Sequence, residues 1–130
     1  MNITASAVAL YVNDAAASAK FFTAHLGFRE VVSLSEEYIC LSRDDEAADI
    51  VLLQRSAESP PEQTNGRGPT NVTVTFTVTA IADEHARLRQ ENAPITTPLR
   101  QKPWGEWTLQ LTDPNGVVIE LVEWVPPAGA

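Results

Sequence analysis

Apolar and polar positions along this chain fall into two alternating rhythms. Residues 6–12 form a β-rich run, Ser-Ala-Val-Ala-Leu-Tyr-Val, that stops at Asn13-Asp14. Asp14 suits the N-cap of a helix, because its carboxylate can accept a first-turn backbone N–H. The spacing predicts that helix over 15–26. Gly27 follows where a helix ends in the left-handed region, which a residue without Cβ enters at little cost. Three strands are expected next, over 28–34, 37–43 and 48–54, joined by a tight turn at Ser35-Glu36 and a charged loop at Asp44-Asp45-Glu46.

Residues 55–70 break the rhythm. Ser56, Ser59, Pro60, Pro61, Asn65, Gly66, Gly68 and Pro69 crowd there, predicting a linker or a long loop. The first rhythm then returns. Val72, Val74, Phe76 and Val78 alternate strictly with Thr73, Thr75 and Thr77, the mark of a half-buried strand over 71–78. A helix over 80–92 carries Ile81, His85 and Leu88 at helical spacing. Strands over 95–101, 105–112 and 117–124 complete the chain, the last two joined by the turn residues Asp113-Pro114-Asn115-Gly116.

The order strand, helix, three strands therefore occurs twice. A shift of 66 residues places Val8, Leu10 and Val12 on Val74, Phe76 and Val78. The expected fold is α+β: two βαβββ modules, about 5–54 and about 71–124, with a linker at about 55–70. Each small sheet can pack one face on its own helix. The other face is expected to curl against the partner module and leave a cleft.

Composition narrows the function classes. With 44% hydrophobic and 20% charged residues, the chain can build a core and is unlike a disordered segment. No apolar run approaches the roughly 20 residues that span a bilayer, and the N-terminus lacks the basic start and apolar stretch of a signal peptide. A cytoplasmic location is the expectation. The net charge of −8 argues against nucleic acid, whose phosphates call for a basic surface. It suits a cationic small molecule, or simply solubility. Cys40 is the only cysteine, so no intrachain disulfide forms; between Ile39 and Leu41 it is expected as a buried, inert thiol.

The run Val8-Ala9-Leu10-Tyr11-Val12-Asn13-Asp14, followed by Ser18, Phe21-Phe22 and Leu26-Gly27-Phe28, resembles the opening of glyoxalase and bleomycin-resistance proteins of the vicinal oxygen chelate superfamily. The ending, Asp113 through Glu123, resembles their closing hairpin, with Trp104-Gly105 just upstream. The resemblance implies paired βαβββ modules forming a side-opened, curled sheet, usually in a homodimer. It also implies, for the enzymes of the superfamily, a divalent metal held by one ligand on each of four cleft strands, commonly His or Glu.

The matching positions here are Ala7, about Val51, Thr73 and Glu120. Ala7 and Val51 offer no donor and Thr73 a poor one, whereas a catalytic metal site normally uses about three protein ligands. His25 and His85 lie on the two expected helices, away from those strands. No Gly-rich phosphate loop, Cys–His pair in register or nucleophile elbow is present. No catalytic residue, metal or cofactor is therefore expected. The resemblance then points to the branch that sequesters antibiotics without chemistry, such as bleomycin-resistance-like proteins. Two rivals stand beside it. One is a metal-dependent lyase, isomerase or ring-cleaving dioxygenase with ligands at other positions. The other is an interaction module whose cleft is closed by side chains.

Strand parity supplies the cleft inventory. In the first half Tyr11, Tyr38 and Val51 are expected to face the cleft, with Ala7, Ala9, Cys40 and Leu53 beside them. In the second half Thr73, Thr75, Trp104, Glu106, Gln110, Glu120 and Trp124 are expected there. Aromatic faces at Trp104, Tyr38 and Tyr11 suit a planar ring, and Glu106 suits a cation. Glu120 is expected to hydrogen-bond the threonines opposite, and Trp124 fits a dimer interface as well as a ligand contact. The expected partner is an aromatic small molecule, for example a peptide antibiotic bearing a planar chromophore, bound by a homodimer with two clefts.

Overall fold

The computed structural model describes residues 1–55 and 72–124. Their chain contacts divide into two units, Met1–Asn71 with Pro114–Gly116, and Val72–Asp113 with Val117–Ala130. The expected linker falls almost wholly outside the described residues.

In the first unit, β1 (Ala7–Val12) runs parallel to β4 (Asp49–Gln54). Strands β2 (Arg29–Ser35), β3 (Tyr38–Ser42) and β4 form an antiparallel meander, giving the order β1-β4-β3-β2. Helix α1 (Ala15–His25) connects the two edge strands and packs on one face of this sheet. Alternation decides which side chains meet it. Leu10, Val12, Ile39, Leu41, Ile50 and Leu52 are buried from the strands, and Phe21 and Phe22 from the helix. Phe22 meets Phe21 and Phe28 edge-on, with ring centroids 5.5 Å apart in each pair. Truncating any of these fully buried side chains to alanine costs about 2–5 kcal/mol in comparable cores.

Both ends of α1 are tied down. Asp14 accepts the Ala17 N–H at 3.1 Å, as its position predicts, and Gln54 Oε1 accepts the Ala15 N–H at 3.2 Å. Asn115 accepts the Asp14 N–H at 3.0 Å and donates to Asp14 O at 2.7 Å and to Ser18 Oγ at 2.6 Å, so the buried Ser18 is satisfied. At the other end Gly27 takes φ +70, and the Arg43 guanidinium donates to the carbonyl of Leu26. Arg43 also pairs with Asp45 at 2.8 Å. That hydrogen bond, aided by the Ala47 N–H, holds the Asp45 carboxyl below the usual carboxylate range.

The second unit repeats the plan. Strand β5 (Thr73–Thr77) runs parallel to β8 (Val118–Trp124), beside β7 (Glu106–Thr112) and β6 (Ile95–Gln101), in the order β5-β8-β7-β6. Helix α2 (Ile81–Gln90) covers the face that buries Val74, Leu109, Leu111, Ile119 and Leu121. Its start differs from that of α1. The residue at the cap is Ala80, in the left-handed region at φ 53 and ψ 50, with no side chain to offer. Glu123 on β8 takes over, accepting the Ala80 N–H at 2.9 Å and the Ile81 N–H at 3.1 Å. Placing Ile50-Val51-Leu52 on Ile119-Glu120-Leu121 also places Gln54 on Glu123. The same strand position thus caps the helix in both units.

Most elements lie within two residues of where the periodicity predicts; β2 runs on to Ser35, so the tight turn falls at Glu36-Glu37 instead of Ser35-Glu36. Helix α2 stops at Gln90 because Asn92 enters the left-handed region at φ 55. One expectation of burial fails. Cys40 is half-buried, not buried, since β3 turns Ile39 and Leu41 to the core and Cys40 to the other face. No helix among the described residues is long and apolar enough to cross a membrane.

Candidate functional site

Each sheet has one face that its helix leaves uncovered, and the strand register arranges that face into rows. In the first unit, Tyr11, Leu53 and Tyr38 form one row across β1, β4 and β3. Ala9, Val51, Cys40 and Val32 form the next, and Ala7 stands beside Asp49. Tyr11, Tyr38 and Val51 are each half-buried. This face therefore presents two phenol rings flanking a leucine, with small apolar side chains alongside. Burial raises the Cys40 thiol above its ordinary pKa, and the Asp49 carboxylate adds to the shift.

The second unit presents a polar face on the same plan. Thr75, Glu120, Gln110 and Thr97 form one row across β5, β8, β7 and β6. Thr97 Oγ1 donates to Gln110 Oε1 at 3.3 Å, and Gln110 Nε2 donates to Glu120 Oε2 at 2.9 Å. Thr77, Val122, Thr108 and Arg100 form the neighbouring row, and Thr73 lies beside Val118. Glu106 pairs in register with Trp124, which is 54% exposed.

Two expectations change here. Trp104 was placed by counting back along β7, but β7 begins at Glu106 and Gly105 takes φ +103, which breaks the alternation. The indole stands outside the strand, 56% exposed, with the Lys102 ammonium 5.5 Å from its ring centre. Glu120 receives its hydrogen bond from Gln110 rather than from a threonine. Conversely, Thr97 and Arg100 belong to the face although sequence reasoning left them out. Irregular pairing between Thr97 and Arg100 brings both residues into the rows of Gln110 and Thr108. Pro98 between them was the available signal, because a strand proline demands an edge or a bulge.

The donor set does not fit a divalent metal. No group of three or more His, Cys, Asp or Glu comes together among the described residues. Glu120 has threonine and glutamine as its register neighbours, not a second carboxylate or imidazole. His25 packs edge-on against Phe21 at 5.6 Å. His85 lies on the far side of the second sheet, in an open depression of about 550 Å³ with Arg89, Asn92, Ala93, Ile95 and Pro98. None of these is a predicted site residue.

Comparison with known proteins agrees with the duplicated fold. The family model described as the Glyoxalase/Bleomycin resistance protein/Dioxygenase superfamily matches residues 4–121. Among solved structures, TioX from Micromonospora sp. ML1 is similar at a TM-score of 0.74 and 19% identity, covering 95% of this chain and 100% of that one. A superfamily member from Sphaerobacter thermophilus DSM 20745 gives 0.72 and 18%, covering 95% and 98%. A lactoylglutathione lyase from Agrobacterium tumefaciens gives 0.67 and 18%, covering 95% and 96%. At these identities the likeness shows the fold. No curated protein sequence matches the chain.

Proposed function

This chain belongs to the Glyoxalase/Bleomycin resistance protein/Dioxygenase superfamily, and within it we propose a non-catalytic binder that sequesters a planar, hydrophobic aromatic small molecule. An antibiotic is the natural candidate, such as a peptide drug with a flat chromophore. The observation that carries this reading is the chemistry of the uncovered faces. They offer aromatic rings at Tyr11, Tyr38 and Trp124 and fixed polar groups at Gln110 and Glu120. Of the four positions where the resemblance implies metal ligands, meanwhile, three hold Ala7, Val51 and Thr73, and Glu120 is the one carboxylate. Apolar surface with a few oriented polar groups is the usual recipe for small-molecule sites. Rings of this kind gain from offset stacking on a flat ligand.

Tyr11 and Tyr38 lie two strand spacings apart, about 9.6 Å, with Leu53 between them as the floor. A ligand ring seated there would meet a phenol on either side. On the second unit, taken by itself, Trp124 offers an aromatic surface beside Glu106. The chain is taken to act as a homodimer. Edge strand β2 leaves Val31 and Val32 each 44% exposed and Leu34 75% exposed, an apolar edge suited to a second copy. Light scattering in line with size exclusion tests that point.

Tryptophan fluorescence titration against a panel of aromatic antibiotics tests the function. Saturable quenching is expected, weakened about tenfold by Trp124→Ala, which corresponds to roughly 1.4 kcal/mol. No saturable response to any compound refutes the binding reading. Metal analysis of protein purified without chelator tests the rival enzyme reading. Stoichiometric zinc, iron, nickel or manganese would favour a lyase, isomerase or dioxygenase.

A further inference from the structure

Resting on the binding reading above, we propose that the uncovered face of the second unit selects ligands bearing a protonated nitrogen, which docks on the Glu120 carboxylate. The ligand class is a planar aromatic cation. The argument begins with the direction of the hydrogen bonds along one row. The Glu120 carboxylate only accepts, so the Gln110 amide turns its Nε2 toward it and leaves Oε1 to accept from the Thr97 hydroxyl. Reversing the amide would set its oxygen against a carboxylate oxygen, which repels, and would leave Thr97 without its acceptor. From Thr97 through Gln110 the row is therefore polarised, with both donors pointing toward Glu120.

It ends in a group that only accepts. Glu120 Oε2 is taken by Gln110, while Oε1 receives no hydrogen bond among the described residues. The carboxylate is half-buried, so a further donor gains a charge-assisted bond in reduced dielectric. An incoming carbonyl or carboxylate would meet like charge instead. The hydroxyls of Thr73 and Thr75 beside it can turn either way and impose no charge preference.

The rest of the face carries one further acid and one cation, and the acid is on the strand next to Glu120. Glu106 adds a second acid beside Trp124. The cation on these rows, Arg100, sits on the outer strand β6, two strands away from Glu120. Trp124 lies four residues along β8 from Glu120 on the same face, about 13 Å away at the usual strand rise. Val122 and Thr108, both buried, form the row between them, the surface over which the rings of a ligand docked at Glu120 would extend toward the indole. The net charge of −8 draws such a cation toward the protein.

Isothermal titration with two three-ring probes of similar shape tests this: 9-aminoacridine as the cation and anthracene-9-carboxylate as the anion. Wild-type protein is expected to bind the cation at least tenfold more tightly. E120Q, which keeps the shape and removes the charge, should bring the two affinities within about threefold, by weakening the cation and relieving the repulsion of the anion. Thr97→Val, on the edge strand, frees the Gln110 amide and should lower the preference about threefold without touching Glu120. Melting temperatures of both variants report that they fold. Equal wild-type affinities overturn the proposal while leaving a binding protein in place. A preference that survives E120Q, or that E106Q erases as fully, also overturns it, since selection would then come from the general field. Binding of neither probe overturns this inference, while the antibiotic panel separately decides the binding reading.

Discussion

Glu123 offers a stability test with a magnitude that can be worked from the geometry. Its carboxylate accepts the Ala80 N–H at 2.9 Å and the Ile81 N–H at 3.1 Å, two of the donors that the start of α2 would otherwise leave open. Losing an N-cap acceptor costs about 1 kcal/mol, and a negative charge at the helix start adds about 0.3–1 kcal/mol. The bond to Ala80 is solvent-exposed, so water replaces part of it and the lower half of the combined range applies. Glu123→Ala should therefore cost about 1.5 kcal/mol. Glu123→Gln, which keeps one acceptor and loses the charge, should cost about half as much. For a chain of this size 1.5 kcal/mol lowers the melting temperature by about 6 °C, measurable by calorimetry or by circular dichroism. Glu120→Ala is the internal control. It lies on the same strand but on the uncovered face, where it loses one part-buried hydrogen bond with Gln110, and should cost about 0.5 kcal/mol, well below Glu123→Ala. A Glu123→Ala midpoint equal to wild type would refute the reasoning, because water would then replace both bonds in full. Equal losses in Glu120→Ala and Glu123→Ala would refute it too, by removing the distinction between the two faces of β8.

Three further outcomes are expected. Ala80→Gly should stabilise the chain by about 0.5 kcal/mol in urea unfolding, since left-handed backbone costs an alanine about 1 kcal/mol and the extra freedom of glycine in the unfolded chain returns part of that. Gly27→Ala should destabilise by about 2 kcal/mol, because φ is +70 and an added Cβ would stand 2.5 Å from the Arg43 guanidinium; Arg43→Ala in the same chain should relieve the clash but not the backbone strain. Iodoacetamide should label Cys40 more slowly at pH 8 in the folded protein than in urea, with the folded rate rising only at higher pH, because burial and then Asp49 raise the thiol. Its raised folded value favours the neutral thiol, so this contribution to stability is complete below the ordinary value of about 8.5 and is lost as pH rises through the folded value. Labelling as fast in the folded state as in urea would contradict that.

Periodicity made the element order readable because it records which side chains meet a helix. The strict alternation from Val72 to Val78 identified β5 and its threonine face directly. Asp14 and Gly27 announced the ends of α1 through local chemistry, and the structure uses both. The failures have physical causes. Counting back along β7 loses its validity at Gly105, which resets the alternation before Trp104, whereas parity turns Cys40 outward as found and only the full burial inferred from Ile39 and Leu41 fails. The cap at α2 could not be read at all, since Glu123 acts 42 and 43 residues from the amides it binds. Glu120 could be placed on its face by parity, whereas its partner depended on which strand lies beside β8. That neighbour is β7, and the row therefore holds Gln110.

The two units also show how a repeated scaffold can diverge in chemistry while its framework stays fixed. Gln54 and Glu123 keep the same task at the same strand position, although one helix retains its own cap at Asp14 and the other begins at Ala80. Core positions likewise correspond, Ile50 and Leu52 with Ile119 and Leu121, all buried. Divergence is concentrated one residue away, where parity turns the side chain outward. The row Ala9, Val51, Cys40, Val32 is apolar, and its counterpart Thr75, Glu120, Gln110, Thr97 is polar and hydrogen-bonded. Substitution on the outward parity leaves the helix-packed core untouched, so its stability cost is small while its effect on a ligand is direct. An apolar row suits the burial of rings, and a polarised row suits the orientation of a charged group. A binder that needs both can obtain them from one duplicated unit by changing only alternate residues on four strands.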